Sequence, residues 1–261
     1  MGKNIDRLIE IVARLRGADG CPWDREQTHT SILSCLLDEA YEFFEAVDKR
    51  DDAHMREELG DILLQVVFHA QMASEEKRFT IEDVACAISE KLIRRHPHVF
   101  GDLKVDSSTE VLKNWEEIKK REKGNENRTS LVDGIPATLP ALFRAEKMQH
   151  RVARVGFDWQ EIGPVLDKVE EEFGEFRDAV TGGDPVHAAE ELGDILFALV
   201  NVARHRNICA EDALRRTVEK FARRFRYVEE KCKEHNIPLH QAGLEQMDIF
   251  WEESKTTEGE R

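Results

Sequence analysis

One seven-residue phrase occurs twice in this chain, and it constrains the fold more than any other feature. EELGDIL stands at 57–63 and again at 190–196, and a long apolar run follows each copy. Three further pairs of segments match in the same order. They are 36–47 with 169–180, 82–99 with 211–228, and 115–119 with 251–255. Four ordered matches predict a tandem duplicated domain.

The composition changes between the two copies. The segment 119–140 contains a charge run, a glycine, a pair of asparagines and two prolines, which are typical of a linker. We therefore predict an N-terminal helical domain at 1–120, a linker at 121–140 and a C-terminal helical domain at 141–261.

Apolar residues recur at spacings of three and four in each copy, which is typical of amphipathic helices. The first helix carries a narrow stripe, and the second carries a broader one that predicts burial on most sides. The segment 48–54 between them is short and polar, so the two helices should run antiparallel. Further helices are predicted at 81–95, around Trp115 and from about Ala141, and each copy should be an all-α bundle. The two stripes are Leu33, Leu36, Leu37, Ala40, Phe44 and Val47, and Leu59, Ile62, Leu63, Val66, Val67 and Ala70.

Charge and cysteine content exclude several classes of protein. The formal net charge of −15 disfavours binding to a nucleic-acid backbone, which needs clustered Lys and Arg. The five cysteines form no Cys-x-x-Cys pair, so reduced thiols are predicted. The longest apolar run, 62–70, is too short to span a bilayer, and the N-terminus lacks the pattern of a secretory signal. We therefore expect a cytoplasmic protein that binds neither nucleic-acid polymers nor membranes.

Acidic residues three positions apart occur on both predicted helices of each copy. This spacing places both carboxylates of a pair on one helix face. The two pairs of each copy are equally far apart in sequence, so they should meet at the same level of the helical hairpin. The pairs are Glu39 with Glu42 and Glu58 with Asp61 in the first copy, and Glu172 with Glu175 and Glu191 with Asp194 in the second.

A single acidic pair ordinarily lies on a solvated helix face. These pairs, however, stand among large apolar residues and occur in both copies. Gly60 and Gly193 in mid-helix each cost about 1 kcal/mol against Ala, which predicts that another backbone packs close to them. Four converging carboxylates would raise one another's pKa values unless a cation were bound. Oxygen ligands favour Mg²⁺, with Mn²⁺ as a possible substitute, over Zn²⁺.

Basic residues follow each acidic set. They either complement the dipole at a helix C-terminus or clamp phosphate, and beside a metal site in so acidic a chain the clamp is favoured. Trp115 and Trp251 are equally consistent with core anchors and with base-stacking surfaces. His96 and His98 flank Pro97 and are predicted to form a structural corner. The basic sets are Lys91, Arg94 and Arg95, and Lys220, Arg223 and Arg224.

The order E-x-x-E, E-x-x-D and then Lys and Arg in a helical bundle resembles the MazG family of nucleoside triphosphate pyrophosphohydrolases. The likeness covers nearly the whole chain and is similar to the long, two-domain bacterial form. It implies Mg²⁺-dependent hydrolysis of NTPs or dNTPs to the monophosphate and pyrophosphate, and a homodimer. The segments that carry it are GCPWD, EELGDILLQVVFHAQMA, RRHPHVFG, SLVDGIP, LPAL and VGFDW.

The resemblance also implies roles for particular residues. Glu171, Glu172 and Glu175 would be catalytic, with Glu171 or Glu175 orienting or deprotonating the attacking water. The first copy has Cys35 in place of Lys168 and Asp38 in place of Glu171, which favours the second copy as the main catalytic site. The implied metal ligands are Glu172, Glu175, Glu191 and Asp194, with a second possible set at Glu39, Glu42, Glu58 and Asp61. The implied nucleotide-binding residues are Lys168, Glu172, Glu190, Asp194, Lys220, Arg223, Arg224, Trp251 and Lys255.

Three alternatives remain open from the sequence. One is a narrow pyrophosphatase for dUTP or damaged nucleotides. Another is a non-catalytic nucleotide sensor that acts through a stress-response partner, and it predicts binding without turnover. The third is a helical scaffold with solvated acidic faces, which predicts no rise in Tm with Mg²⁺ and nucleotide.

Overall fold

The computed structural model describes residues 2–107, 110–111, 114–115, 118 and 130–258. All regular secondary structure among these residues is helical, so the predicted all-α class is confirmed. The chain divides into two compact units, Met1–Glu126 and Asn127–Arg261. The part of the predicted linker before residue 130 lies outside the described residues, and the predicted domain limits remain a prediction.

The first unit is built around an antiparallel helical hairpin. Helix α3 packs against α4, and α1 packs on the other side of α4. The core cluster consists of Val12, Ile32, Val67, Phe68 and Met72, from α1, the α3 N-cap and α4. The helices are α1 (Lys3–Arg16), α2 (Pro22–Glu26), α3 (Leu33–Lys49), α4 (Asp52–Glu75), α5 (Ile81–Arg95) and α6 (Pro97–Phe100).

The second unit repeats this plan. Helices α8 and α9 form the hairpin, α7 packs against α9, and α10 packs against α11 around Val228, Cys232 and Phe250. The helices are α7 (Ala141–Ala153), α8 (Ile162–Gly182), α9 (Pro185–His205), α10 (Ala210–Glu234) and α11 (Gly243–Glu258), with a 3₁₀ turn at Leu239–Gln241.

Both hairpin turns use the same local chemistry. The first helix ends on a left-handed residue, Arg50 (φ 55°) or Gly183 (φ 75°). The next residue, Asp51 or Asp184, then caps the second helix by accepting hydrogen bonds from two backbone amides. The turn is therefore short, and it sets the level at which the acidic residues of the two helices meet.

Several sequence predictions are confirmed by the elements. The third helix of the first copy runs from Ile81 to Arg95 as expected, and a helix restarts at Ala141. His96 (φ −122°, ψ 56°) separates α5 from α6, as a corner requires. The described residues near Trp115 are helical, while the rest of that predicted helix lies outside the described residues. All five cysteines are free, and within the described chain no helix is both long and apolar enough to cross a membrane.

Two predictions about packing are wrong within the described chain. The apolar stripe of α3 is not covered, since Leu33 and Leu37 are each more than half exposed. The broad stripe of α4 is covered only in part: Val67 and Ala70 are buried, but Leu59 is more than half exposed. A side-chain carbon built at Gly60 or Gly193 meets no atom within 4 Å, so no backbone packs close to either glycine. Periodicity shows that an apolar face exists, but it does not show what covers that face.

Candidate metal and nucleotide site

Three carboxylates of the second unit converge across the hairpin. Oxygen atoms of Glu172, Glu175 and Glu191 all lie within 4.8 Å of one another. Glu172 and Glu191 are buried, at 8% and 9% exposure, whereas Glu175 is exposed. The cluster thus consists of two buried carboxylates and one that faces solvent. Asp194 lies outside this trio but lines an adjacent cavity together with Glu172.

The positions of these residues follow from the helices. Glu172 and Glu175 are one turn apart on α8, and Glu191 follows the Asp184 cap by two turns of α9. In each pair of the second copy one carboxylate is buried, Glu172 or Glu191, while its partner three residues on, Glu175 or Asp194, is exposed.

Lys168 provides the only cation paired with Glu172 in the described chain. Its Nζ lies 2.8 Å from Oε1 of Glu171 and 2.8 Å from Oε1 of Glu172. These two hydrogen bonds raise the pKa of Lys168, so the ammonium group stays charged. Desolvation, followed by the charges of Glu191 and Glu172, raises the pKa of Glu175. Glu175 is therefore a better proton acceptor than an ordinary surface glutamate.

The first unit has a matching cluster. Oxygen atoms of Glu39, Glu58 and Asp61 lie within 4.8 Å of one another, and Glu58 is 4% exposed. His54 Nε2 is 2.8 Å from Glu58 Oε1. Desolvation, followed by the charges of Asp61 and Glu42, raises the pKa of Glu39. Glu42 is exposed and is not a member of the trio.

Both clusters fit a hard divalent cation. Glu58 Oε2 and Glu191 Oε2 are buried and have no hydrogen-bond partner among the described residues. A buried carboxylate oxygen without a partner is costly, and a cation would satisfy it. Oxygen-only ligands of this kind suit Mg²⁺ or Mn²⁺. Either trio could therefore hold such an ion.

A cavity of about 370 Å³ adjoins the second cluster. Lys168, Glu172 and Asp194 line one part of it. Most of the remaining wall is apolar and aromatic, from Met148, Val152, Phe157, Trp159 and Phe197. VGFDW (155–159) entered the sequence prediction only as a segment of the family resemblance, and Gln149 and Asn201 were not predicted as site residues. What marks these two amides as site residues is their burial among apolar neighbours, and this burial is visible only in the folded structure.

The other predicted nucleotide-binding residues lie elsewhere in the second unit. Trp251 packs against Phe221, with ring centroids 5.1 Å apart, and Arg224 lies over its ring at 5.8 Å. Lys255 pairs with Glu252, and Glu190 is exposed beside His187. None of the following lines the cavity in the described chain: Glu190, Lys220, Arg223, Arg224, Trp251 and Lys255.

The basic set of the first unit follows a similar pattern. Lys91 and Arg94 are exposed on α5, and the Arg95 guanidinium lies 6.0 Å from the centroid of the Trp115 ring. This contact parallels that of Arg224 with Trp251, so the duplication extends to the cation–π pair.

The fold and the site together define a class of protein. It is a duplicated all-α protein in which each copy has a helical hairpin whose carboxylates could bind a cation. The family described as the MazG nucleotide pyrophosphohydrolase domain matches residues 27–100 and 160–228. The chain therefore belongs to the MazG family of nucleotide pyrophosphohydrolases, and it is an enzyme of that family. The two matched segments confirm the tandem arrangement.

Relatives match over almost the full length. The nucleoside triphosphate pyrophosphohydrolase of Escherichia coli (strain K12) is 49% identical over 97% of this chain and 98% of its own. The nucleoside triphosphate pyrophosphohydrolase/pyrophosphatase MazG of Thermotoga maritima is 45% identical over 96% of this chain and 95% of its own. The crystal structure of a mazG-related protein from Thermotoga maritima, 35% identical, covers 44% of this chain and 99% of that protein with a TM-score of 0.39.

Proposed function

We propose that the protein hydrolyses ribo- and deoxyribonucleoside triphosphates to the nucleoside monophosphate and pyrophosphate, with Mg²⁺, mainly in its second copy. The observation that carries the proposal is the carboxylate trio of Glu172, Glu175 and Glu191 beside a cavity with aromatic walls. The names of the full-length relatives support the reaction type.

The metal ligands proposed for the second copy are Glu172, Glu175, Glu191 and Asp194, and Mn²⁺ is a possible substitute for Mg²⁺. Mg²⁺ held there would offset the charge of the phosphate oxygens and lower the pKa of a water molecule. In the first copy the corresponding residues Glu39, Glu42, Glu58 and Asp61 form a second possible site.

The remaining steps, which are activation of water and binding of the phosphates, are assigned to side chains of the protein. Glu175 is the exposed member of the trio, so we assign it, as a carboxylate not fully committed to the metal, to orient the attacking water and accept its proton. Glu171 is held by Lys168 and is the less available base. Lys168 can exchange its carboxylate partners for phosphate oxygens, which it would hold as a point charge. Lys220, Arg223, Arg224, Trp251 and Lys255 are proposed to contact the triphosphate or nucleoside once substrate is bound.

Two observations favour the second copy. Cys35 occupies the position of Lys168 in the first copy, so the phosphate-facing ammonium is missing there. The first copy also places Phe68 in its core cluster at the position of Asn201 in the cavity wall.

We further propose a cytoplasmic homodimer that does not bind nucleic-acid polymers. Leu192, Leu196 and Leu199 form a half-exposed stripe along α9, which a second copy would cover. The free cysteines are in keeping with a reducing compartment. The net charge of −15 opposes contact with a polyanion.

The test is product analysis by phosphorus NMR with each of the common NTPs and dNTPs, with Mg²⁺ and with EDTA. Monophosphate and pyrophosphate are expected, and EDTA should abolish them. Glu172→Gln should lower the rate at least about a hundredfold, whereas Glu39→Gln should retain most of it. Diphosphate and orthophosphate as products, or nucleotide bound without turnover, would contradict the proposed reaction. An equal loss in both variants would contradict its assignment to the second copy.

A further inference from the structure

Two buried amide side chains stand in the wall of the cavity beside the second cluster. Gln149 is 5% exposed and Asn201 is 8% exposed, and both line the cavity. The wall around them is largely apolar. A buried amide in such surroundings costs free energy unless its donors and acceptors are satisfied.

The orientation of the Gln149 amide is set by the backbone. Its Nε2 donates a hydrogen bond to the carbonyl oxygen of Phe197 at 2.8 Å. Its Oε1 is buried and has no hydrogen-bond partner in the described chain. Turning the amide over would place its oxygen against the carbonyl oxygen of Phe197. Gln149 therefore holds a buried acceptor that has no partner in the described chain.

Asn201 presents the opposite group. Its Oδ1 accepts hydrogen bonds from Arg204 Nε at 2.9 Å and from Arg204 Nη2 at 2.6 Å. Arg204 is itself held by Asp158, with Nη1 donating to Oδ2 at 2.9 Å. Because Oδ1 is committed to Arg204, the group that Asn201 can offer a ligand is its Nδ2 donor.

The first copy shows that the fold does not require an amide at the position of Asn201. Phe68 and Asn201 are each the fifth residue after EELGDIL, and Phe68 lies in the apolar core cluster. At this position the same architecture thus holds a phenylalanine in one copy and a buried amide in the other.

We propose that this cavity is the nucleobase subsite, and that Gln149 and Asn201 recognise a donor next to an acceptor on the edge of the base. The inference rests on the proposed function. Every common base carries such a pair: an amino group beside a ring nitrogen in adenine and cytosine, and a ring N–H beside a carbonyl in guanine, uracil and thymine. Phe157 and Trp159 supply aromatic surface for the base. The site would therefore bind any nucleotide that carries a common base and would discriminate only weakly among these bases.

The experiment compares two nucleotides that differ by one donor. The α,β-methylene analogues of ATP and of purine riboside triphosphate share the ring nitrogens, but only the first has an amino group. Binding is measured by calorimetry with Mg²⁺ and followed in parallel by tryptophan fluorescence. Wild-type protein should bind the ATP analogue about tenfold to a hundredfold more tightly, the value of one hydrogen bond to a buried acceptor.

Gln149→Met keeps the side-chain length but removes the acceptor, so the preference should fall to about onefold. Asn201→Asp keeps an oxygen for Arg204 but removes the donor, and it should weaken both analogues. Gln241→Met makes the same chemical change at an exposed position away from the cavity and should leave the preference intact. Circular dichroism and Tm confirm that each variant is folded.

Equal affinity of wild-type protein for the two analogues, or an undiminished preference in folded Gln149→Met, would overturn the inference. In either case, formation of monophosphate and pyrophosphate from NTPs would leave the proposed function standing. Failure of both analogues to bind, together with no turnover of any NTP, would overturn both.

Discussion

Lys168 illustrates how one residue distinguishes the two copies. It pairs with Glu171 and Glu172, and so neutralises part of the charge that the converging carboxylates concentrate. In the first copy this position is Cys35, while the pair of His54 with Glu58 has its counterpart in His187 and Glu191 of the second copy. The second cluster therefore keeps a permanent cation next to the position proposed for phosphate.

Asp158 anchors the loop between α7 and α8 through Arg204 and His205 of α9. The hydrogen bond from Arg204, and then that from His205, lowers the pKa of Asp158 below its ordinary value of about 3.9. A carboxyl whose pKa is lower in the folded state adds stability above the unfolded-state pKa. That stability is lost as the pH falls through the folded-state pKa.

We expect Asp158→Asn to lower the free energy of unfolding by about 2 kcal/mol at pH 7, because Arg204 loses a charged acceptor. The difference from wild type should shrink as the pH falls from 5 towards 3. Urea unfolding of ligand-free protein at several pH values measures it. Asp167→Asn, at an exposed position on α8, is the control and should show a small difference at every pH. A constant difference for Asp158→Asn would show that charge is not the cause.

At the scale of the element, the hairpin turn determines which carboxylates meet. The Asp184 cap begins α9 seven residues before Glu191, and the Asp51 cap begins α4 seven residues before Glu58. The cap satisfies backbone amides that the helix leaves unpaired. Because the aspartate cap and its spacing from the buried glutamate are the same in both copies, both copies form a similar acidic cluster.

Asp184→Ala should lower the free energy of unfolding by about 1 kcal/mol, because two amides of the first turn lose their acceptor. Thermal unfolding monitored by circular dichroism would measure the change. Asp184→Ser restores a side-chain acceptor and should recover most of the loss. If the Ser variant were as unstable as the Ala variant, the cap would not be the source of the effect.

Existence and type of the elements were predictable from local pattern. Spacings of three and four, with polar turns between, predict the hairpins and the helix at 81–95. These signals are local because each depends on hydrogen bonds within a few residues. Pairing of Glu172 with Glu191 across the hairpin also followed, since both helices are long and the connection is short.

At the scale of the whole molecule, an exposed apolar face is the basis of the proposed homodimer. Leu192, Leu196 and Leu199 lie on one side of α9 and are each nearly half exposed. Gly193 stands among them with open space above it. In the proposed homodimer a second copy would cover this face, and its approach would account for the mid-helix glycine, which has no close neighbour among the described residues.

We expect Leu196→Glu to raise the dimer Kd at least about a hundredfold, since each copy loses a buried leucine and gains a charge at the interface. Analytical ultracentrifugation over a range of concentrations would show the shift to monomer. Thr217→Glu, at an exposed position of α10, adds the same charge elsewhere and should leave the Kd unchanged. A Leu196→Glu protein that stays dimeric would exclude this face as the interface.

The sequence by itself determined the duplication, the helical class and the acidic residues that face one another, because these depend on periodicity and short connections. Only the tertiary structure decided that the apolar stripe of α3 is left uncovered, and that Gln149 and Asn201 stand in a cavity wall while Val12 and Phe68 fill a core. A residue's surroundings depend on contacts between segments far apart in the chain. An amphipathic pattern records that a face is apolar, and the packing of helices decides whether that face meets a core, a ligand or a second molecule.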